Sequence, residues 1–237
     1  MIRVDQWLNH LQGLLWPPTC ILCGGAGQPP TLDLCAHCEA DLPANGPACC
    51  VCAQPLAGDS AVLTCGACLR RPPGFDASCC PFLYAYPIDH LVRALKFRGG
   101  VVPGRVLGEL LARYISRQQR DSMPEILLPA PLSLSRYRQR GYNQAVEIGQ
   151  RLVRRLSIPM RTDMVTRVRD TREQASLNRR ERRKNIRRAF AILTPPPDHV
   201  AIVDDVVTTG STANELARVL KRAGAKYVEV WGVARTT

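Results

Sequence analysis

Val200-Ala201-Ile202-Val203-Asp204-Asp205-Val206-Val207-Thr208-Thr209-Gly210-Ser211-Thr212 is the stretch on which the fold turns. Its first half is apolar, β-branched and closed by two acids, the pattern of a buried parallel strand surfacing at its carboxyl end. The second half is small and hydroxylated around a glycine, and it runs into Asn214–Leu220, whose apolar positions recur at helical spacing. Strand, tight turn and helix amino terminus therefore follow within one supersecondary unit. The first turn of a helix offers unpaired N–H groups and a positive dipole end, and Thr208, Thr209, Ser211 and Thr212 add hydroxyls beside a glycine that permits close approach. Such a turn cradles a phosphate, while Asp204 and Asp205 just upstream can accept hydrogen bonds from sugar hydroxyls. The competing reading is an ordinary capped helix after a solvated strand end, but the acid doublet at this spacing weighs against it.

This run resembles the phosphoribosyl pyrophosphate (PRPP) motif of type I phosphoribosyltransferases. The resemblance implies that Asp204 and Asp205 hold the ribose hydroxyls and that Val207, Thr208, Thr209, Gly210, Ser211 and Thr212 surround the 5-phosphate.

The chain has 237 residues, enough for one α/β domain and something small. All eleven cysteines fall between Cys20 and Cys80, so the small part is expected over 1–74 and the α/β domain over 75–237, with Arg71-Pro72-Pro73-Gly74 as the linker. Four Cys-x2-Cys knuckles stand there: Cys20 with Cys23, Cys35 with Cys38, Cys49 with Cys52, and Cys65 with Cys68. Two knuckles complete the tetrahedral sulfur shell that zinc prefers, so eight ligands suffice for two structural ions. Similar intervals favour pairing neighbouring knuckles; an interleaved pairing and a redox pair remain open. Cys50, Cys79 and Cys80 are expected as buried small hydrophobes.

No apolar run reaches the roughly 20 residues of a bilayer span, and no secretory leader pattern opens the chain, so a cytoplasmic protein is expected. Met1–Trp16 reads as an amphipathic helix, packed on the neighbouring domain or lying on a membrane surface. Charge is uneven: from Arg136 to Arg188, 17 Arg and Lys face five acids, within a chain of net charge +12. A field of that sign attracts nucleic acid or a phosphorylated substrate.

Between these landmarks the pattern predicts a strand at Phe82–Tyr86, helices at Ile88–Phe97 and Gly104–Ile115, and a strand at Ile126–Leu132. Lys96 and Arg98 close the first of those helices, either complementing its dipole or binding an anion. Ser133–Gln144 reads as a basic loop whose Arg136, Arg138 and Arg140, at alternate positions, could grip a pyrophosphate by forked hydrogen bonds. A helix is expected at Gln144–Leu156 and strands at Val165–Val168, Phe190–Leu193 and Tyr227–Arg235. Arg169–Leu177 reads as a mobile loop, and Asn178–Ile186 as an Arg-dense helix suited to nucleic acid.

Taken together, the knuckles, Leu95-Lys96-Phe97-Arg98-Gly99, Pro129-Ala130-Pro131-Leu132, Arg140-Gly141-Tyr142-Asn143-Gln144, Gln174 with Arg182 and Asn185 before Ala189-Phe190, and the strand-turn-helix motif resemble the ComF family. Ala130 stands where that family usually has valine. The resemblance implies a twisted, mostly parallel sheet of the type I phosphoribosyltransferase fold with a cysteine-rich amino-terminal module. It implies Mg²⁺ with PRPP, Lys96 and Arg140 among the PRPP ligands, and pentosyl transfer in which Asp204, Asp205, Arg138 and Arg140 act. It also implies single-stranded DNA and other DNA-uptake proteins as partners; the alternative is a non-catalytic PRPP-sensing, DNA-binding module.

Overall fold

The computed structural model describes residues 17–57, 63–97, 100–168 and 188–237. The expectations for Met1–Trp16, Arg98, Gly99, Arg169–Leu177, Asn178–Ile186 and the motif residues Gln174, Arg182 and Asn185 lie outside these. Among the described residues no helix is long and apolar enough to cross a membrane.

A parallel sheet forms the centre. Strand β6 (His199–Val207) lies between β3 (Ile126–Pro129) and β7 (Tyr227–Arg235), and the far side of β7 carries β1 (Ala77–Cys79) and β2 (Phe82–Leu83) end to end. Every pairing is parallel, as expected for a strand run that is apolar on both faces. The period of two along β6 sends Ala201 and Val203 to one core and Val200 and Ile202 to the other.

On the first face pack α3 (Ile88–Phe97), α4 (Val101–Arg117) and α6 (Gln144–Leu156), through Leu91, Leu95, Leu107, Leu111, Ile148 and Leu152. Leu32, Leu34 and Leu42 of the first cysteine module join this core. On the second face lie α7 (Ser211–Arg222) and a small antiparallel ribbon of β4 (Val165–Arg167) and β5 (Phe190–Ile192). Ala53 of the second cysteine module and Phe75, just after the linker, pack there. The module is thus split across both faces, its first half built around α1 (Ala36–Ala40) and its second around α2 (Gly66–Arg70).

Several boundaries differ from expectation for visible reasons. Phe82–Tyr86 pairs only as far as Leu83; Tyr84 still donates its N–H to Arg235 O (2.9 Å), then turns toward the cleft described below. The three-residue β1 upstream was too short to read, and Pro81, which has no N–H, separates it from β2. Helix α4 begins three residues early, with Pro103 in its first turn, where a missing N–H costs nothing. The third strand stops at Pro129 instead of Leu132.

The larger correction concerns Ser133–Gln144. Leu134–Arg140 is a helix, α5, closed by Gly141 in the left-handed conformation (φ 78°), whose N–H returns to Tyr137 O at 2.7 Å. The segment has no apolar period, so helical geometry left no trace in the sequence.

Candidate ligand cleft and metal centres

At the carboxyl ends of β3 and β6 a cleft opens, lined by Lys96, Ala130–Leu132, Arg136, Arg140, Asn143–Ala145, Arg167 and the whole run 204–213. This is where ligands settle on open parallel sheets.

The acid doublet is held by its own backbone. Asp204 Oδ1 accepts the Asp205 N–H (2.9 Å), and Asp205 Oδ1 accepts the Val206 N–H (2.7 Å). Asp205 is 8% exposed, and its other oxygen lies 2.9 Å from Lys96 Nζ. Asp204 makes no such ion pair among the described residues: burial, with Asp205 beside it, pushes its carboxyl up to about 7, although the charge of Lys96 pulls the other way.

Beyond the doublet, Gly210 takes φ +66°, the left-handed bend that brings α7 in directly behind the turn. Thr209 Oγ1 and Ser211 Oγ lie 2.7 Å apart, and Asn214 N–H returns to Gly210 O at 2.8 Å. Val207, Thr208, Thr209, Gly210, Ser211 and Thr212 all line the cleft.

The arginines divide. A helix places residues four apart on one face, so Arg136 and Arg140 both reach the cleft. Arg138 is exposed and absent from its lining. The expectation that Arg138 joins the site rested on an extended loop, in which alternate residues share a side. The i, i+4 spacing of Arg136 and Arg140 was the signal that would have found the pair.

Arg140 donates from Nη1 to Gln144 Oε1 (2.8 Å) and lies over the Phe97 ring at 5.5 Å. Burial, then the charge of Arg136, lowers its pKa below the usual guanidinium range. Arg140 Nε and Gln144 Nε2 are buried donors with no partner among the described residues, an unmet demand for acceptor oxygens beside two cations.

The neighbouring motif residues have positioning tasks that their identities alone did not disclose. Tyr142 Oη donates to Leu95 O, tying down the end of the helix that carries Lys96. Asn143 caps α6 by accepting the Ala145 N–H (3.0 Å) and donates to Ala130 O (3.1 Å), linking that helix to the end of β3.

The cysteines form two tetrads, Cys20-Cys23-Cys35-Cys38 and Cys49-Cys52-Cys65-Cys68, each with its sulfurs within 4.8 Å of one another. Neighbouring knuckles pair, and the interleaved arrangement is not formed. Cys23 and Cys35 Sγ are 3.7 Å apart and Cys52 and Cys65 Sγ 3.6 Å. A tetrahedron with Zn–S bonds of about 2.3 Å has edges of about 3.8 Å, so both shells fit zinc. Of the leftover thiols, Cys79 and Cys80 are buried as expected, and burial pushes Cys80 up to about 12. Cys50 is not: it is exposed, 3.5 Å from Thr64 Oγ1, because the knuckle turns it outward.

Residues 11–81 match the double zinc ribbon domain. Competence protein F of Haemophilus influenzae is 35% identical over 91% of this chain and 96% of its own. DNA utilization protein YhgH of Salmonella typhimurium is 34% identical over 93% and 98%. Among solved structures, a purine phosphoribosyltransferase from Pyrococcus horikoshii overlaps 63% of this chain and 74% of its own at 20% identity, with a TM-score of 0.28. The identity to competence protein F extends over both the zinc ribbons and the parallel α/β domain, and the chain belongs to the competence protein F (ComF) family.

Proposed function

We propose that this protein binds PRPP with Mg²⁺ in the cleft and acts in the handling of DNA taken up by the cell. What carries the reading is convergence: an acid doublet, a hydroxyl-rich turn at a helix amino terminus, and Lys96, Arg136 and Arg140 line one cavity. A ribose bearing one phosphate and a diphosphate needs those three chemistries together.

In this reading Asp204 and Asp205 accept hydrogen bonds from the ribose hydroxyls. The amides and hydroxyls of Thr208–Thr212 take the 5-phosphate. Arg140 and Gln144, whose unpaired donors ask for oxygens, take the diphosphate together with Arg136. Lys96 is held by Asp205 and is close enough to exchange that partner for a phosphate oxygen. The cleft suits Mg²⁺ because, among the described residues, the two adjacent carboxylates make one close ion pair, Asp205 with Lys96; when bound, the ion would supply further charge neutralisation for the diphosphate. Transfer would break the bond from the anomeric carbon to the diphosphate oxygen and form one to a nitrogen of the acceptor, with Arg136 and Arg140 stabilising the departing charge.

The test is isothermal titration with Mg-PRPP, followed by a pyrophosphate-release screen over bases, nucleosides and amines. Absence of heat in the first would refute the cleft assignment. Heat without release from any acceptor would leave a binding module.

That second reading has its own observation. Tyr137 (51% exposed) and the exposed Arg138 stand on α5, and Arg138 lies outside the cleft, an aromatic next to a cation as single-stranded nucleic acid requires. The two surfaces are therefore separable. Arg140→Ala should weaken PRPP binding by ~10–100-fold, the value of a lost charge-assisted contact, and Arg138→Ala by no more than ~2-fold. Tyr137→Ala with Arg138→Ala should instead reduce single-stranded DNA affinity and flatten its salt dependence. Equal effects of Arg138 and Arg140 on PRPP would show that α5 does not divide the arginines as described.

A further inference from the structure

Arg235, the last residue of β7, is 7% exposed, and all its hydrogen-bond partners among the described residues are neutral oxygens. Apart from those of its neighbour Thr236, they belong to two places far apart in the chain. On one side Nε donates to Cys52 O (3.1 Å) and Nη2 to Gln54 Oε1 (2.8 Å), both on the third cysteine knuckle. On the other, Nη1 donates to Val207 O (2.9 Å) and to Thr208 O, in the turn assigned to the sugar phosphate. One buried guanidinium thus joins a cysteine ligand to the phosphate turn.

We infer that Arg235 is a positioning residue through which zinc in the second tetrad fixes the shape of the phosphate turn. The peptide plane supplies the mechanism. A carbonyl and the next N–H point in opposite directions across a planar amide, so drawing the Val207 and Thr208 carbonyls toward Arg235 turns the Thr208 and Thr209 N–H groups the other way. Those residues line the cleft, and preorganised donors bind an anion without first paying to be ordered. Because no carboxylate among the described residues pairs with Arg235, its charge also adds to the positive field beneath the turn.

The other end of the splint depends on the metal shell. Ala53 holds a left-handed conformation (φ 54°) that a non-glycine residue adopts only when its surroundings impose it. The knuckle closes through Ala53 N–H to Cys49 O (2.8 Å) and Cys49 N–H to Gln54 O (2.9 Å). Asn45 clamps the Ala53 and Cys80 carbonyls at 3.0 Å each. Behind the turn, Phe75 lies beside Gly210, where a Cβ would meet its ring in ordinary contact at 3.7 Å. Loss of the four-sulfur shell releases this knuckle, and with it the fixed positions of Cys52 O and Gln54.

The inference deepens the PRPP reading, since the turn is the one assigned there to the 5-phosphate, yet its primary readout needs no ligand. Amide hydrogen exchange over residues 207–213 is compared in full-length wild type, Arg235→Lys, Arg235→Gln, Cys65→Ser and the Arg235→Gln/Cys65→Ser double variant, with zinc content and Mg-PRPP affinity measured on each. Arg235→Lys keeps the charge but lacks the fork that reaches both sides. Expected are two zinc ions per chain and at least ~10-fold faster exchange in the turn for both Arg235 variants, one zinc and the same acceleration for Cys65→Ser, and a double variant within ~2-fold of the worse single one, as for residues acting in one chain of contacts. Cys23→Ser, in the first tetrad, should lose one zinc and, compared well below its own melting transition, accelerate the turn less than Cys65→Ser does.

Wild-type exchange in Arg235→Lys, multiplying effects in the double variant, or equal acceleration by Cys23→Ser would each overturn the coupling. Should Cys65→Ser fail to fold, wild-type exchange in the Arg235 variants still overturns the inference, and partial chelation of zinc from the wild type tests the metal's part. Wild type that binds no PRPP would sink the assignment of the cleft while leaving the exchange result to stand or fall alone.

Discussion

At pH 8, Asp204→Asn should melt about 5 °C above the wild type while losing its affinity for PRPP. The carboxyl of Asp204 is pushed from its ordinary 3.8 up to about 7 by burial and by the neighbouring Asp205. A folded-state pKa above the unfolded one means that the neutral form is the one folding prefers. Its stabilising contribution is complete below about pH 4 and disappears as pH rises through 7. Above that, the wild type carries an ionised carboxylate at a cost. Three pKa units set an upper limit of about 4 kcal/mol. Residual contact with solvent reduces this to about 2 kcal/mol, which gives the stated shift in a chain of this size.

The advantage of Asp204→Asn should therefore shrink on acidification and vanish near pH 4, where both side chains are neutral. Thermal melts from pH 4 to 9 check it, and superimposable curves would show that Asp204 carries no strain. Ligand binding should titrate in the opposite sense. A carboxylate must be ionised to accept both ribose hydroxyls, so Mg-PRPP affinity should fall below pH 7, by up to ~10-fold per unit. Asp205→Asn offers the contrast: it gives up the Lys96 ion pair instead of relieving a burden, and it removes the charge that adds to burial in raising Asp204. An acid that costs stability where a neutral isostere would not is the signature of a group kept for binding.

Local chemistry was legible in the sequence, and long-range chemistry was not. The run from Val200 to Thr212 carried strand, turn and helix in its own pattern, because a strand buried on both faces and a hydroxylated helix start are written in consecutive residues. The knuckles were equally plain, as the thiolates of a zinc ribbon come in Cys-x2-Cys pairs. Helix α6 was found to the residue, since Ile148 and Leu152 give it a periodic apolar face. Helix α5 has no buried residue and is made by its carboxyl-terminal glycine, so its arginines read as a loop and Arg138 was placed with Arg140. Arg235 was invisible for a deeper reason. Its partners at Cys52, Val207 and Thr208 are backbone carbonyls, which every residue possesses, and only the fold brings them to one guanidinium.

Removal of zinc should damage the α/β domain itself and not merely unravel an appendage. Structural zinc contributes on the order of 10 kcal/mol in small four-ligand sites, comparable to the whole stability of an ordinary domain. Here the first tetrad is set into the core. Cys20 is 2% exposed, and Leu32, Leu34 and Leu42 are buried against α3 and α4 in the same cluster as Leu91, Leu107 and Trp231. At about 2 kcal/mol for each buried leucine, some 6 kcal/mol of that core depends on the ribbon keeping its shape. Polar contacts follow the same seam: Arg105 pairs with Asp33, and Arg113 lies 3.5 Å from Glu39. The full chain should accordingly contain two zinc ions, and Cys20→Ser or Cys35→Ser should lose one of them. Each should lower the melting temperature by at least about 10 °C in a single transition that includes the Trp231 signal. Two separate transitions, with Trp231 fluorescence melting at the wild-type temperature, would mean that the ribbon folds apart from the domain. The buried leucines argue for one transition: an apolar face shared between two units cannot be exposed by one without being lost to the other.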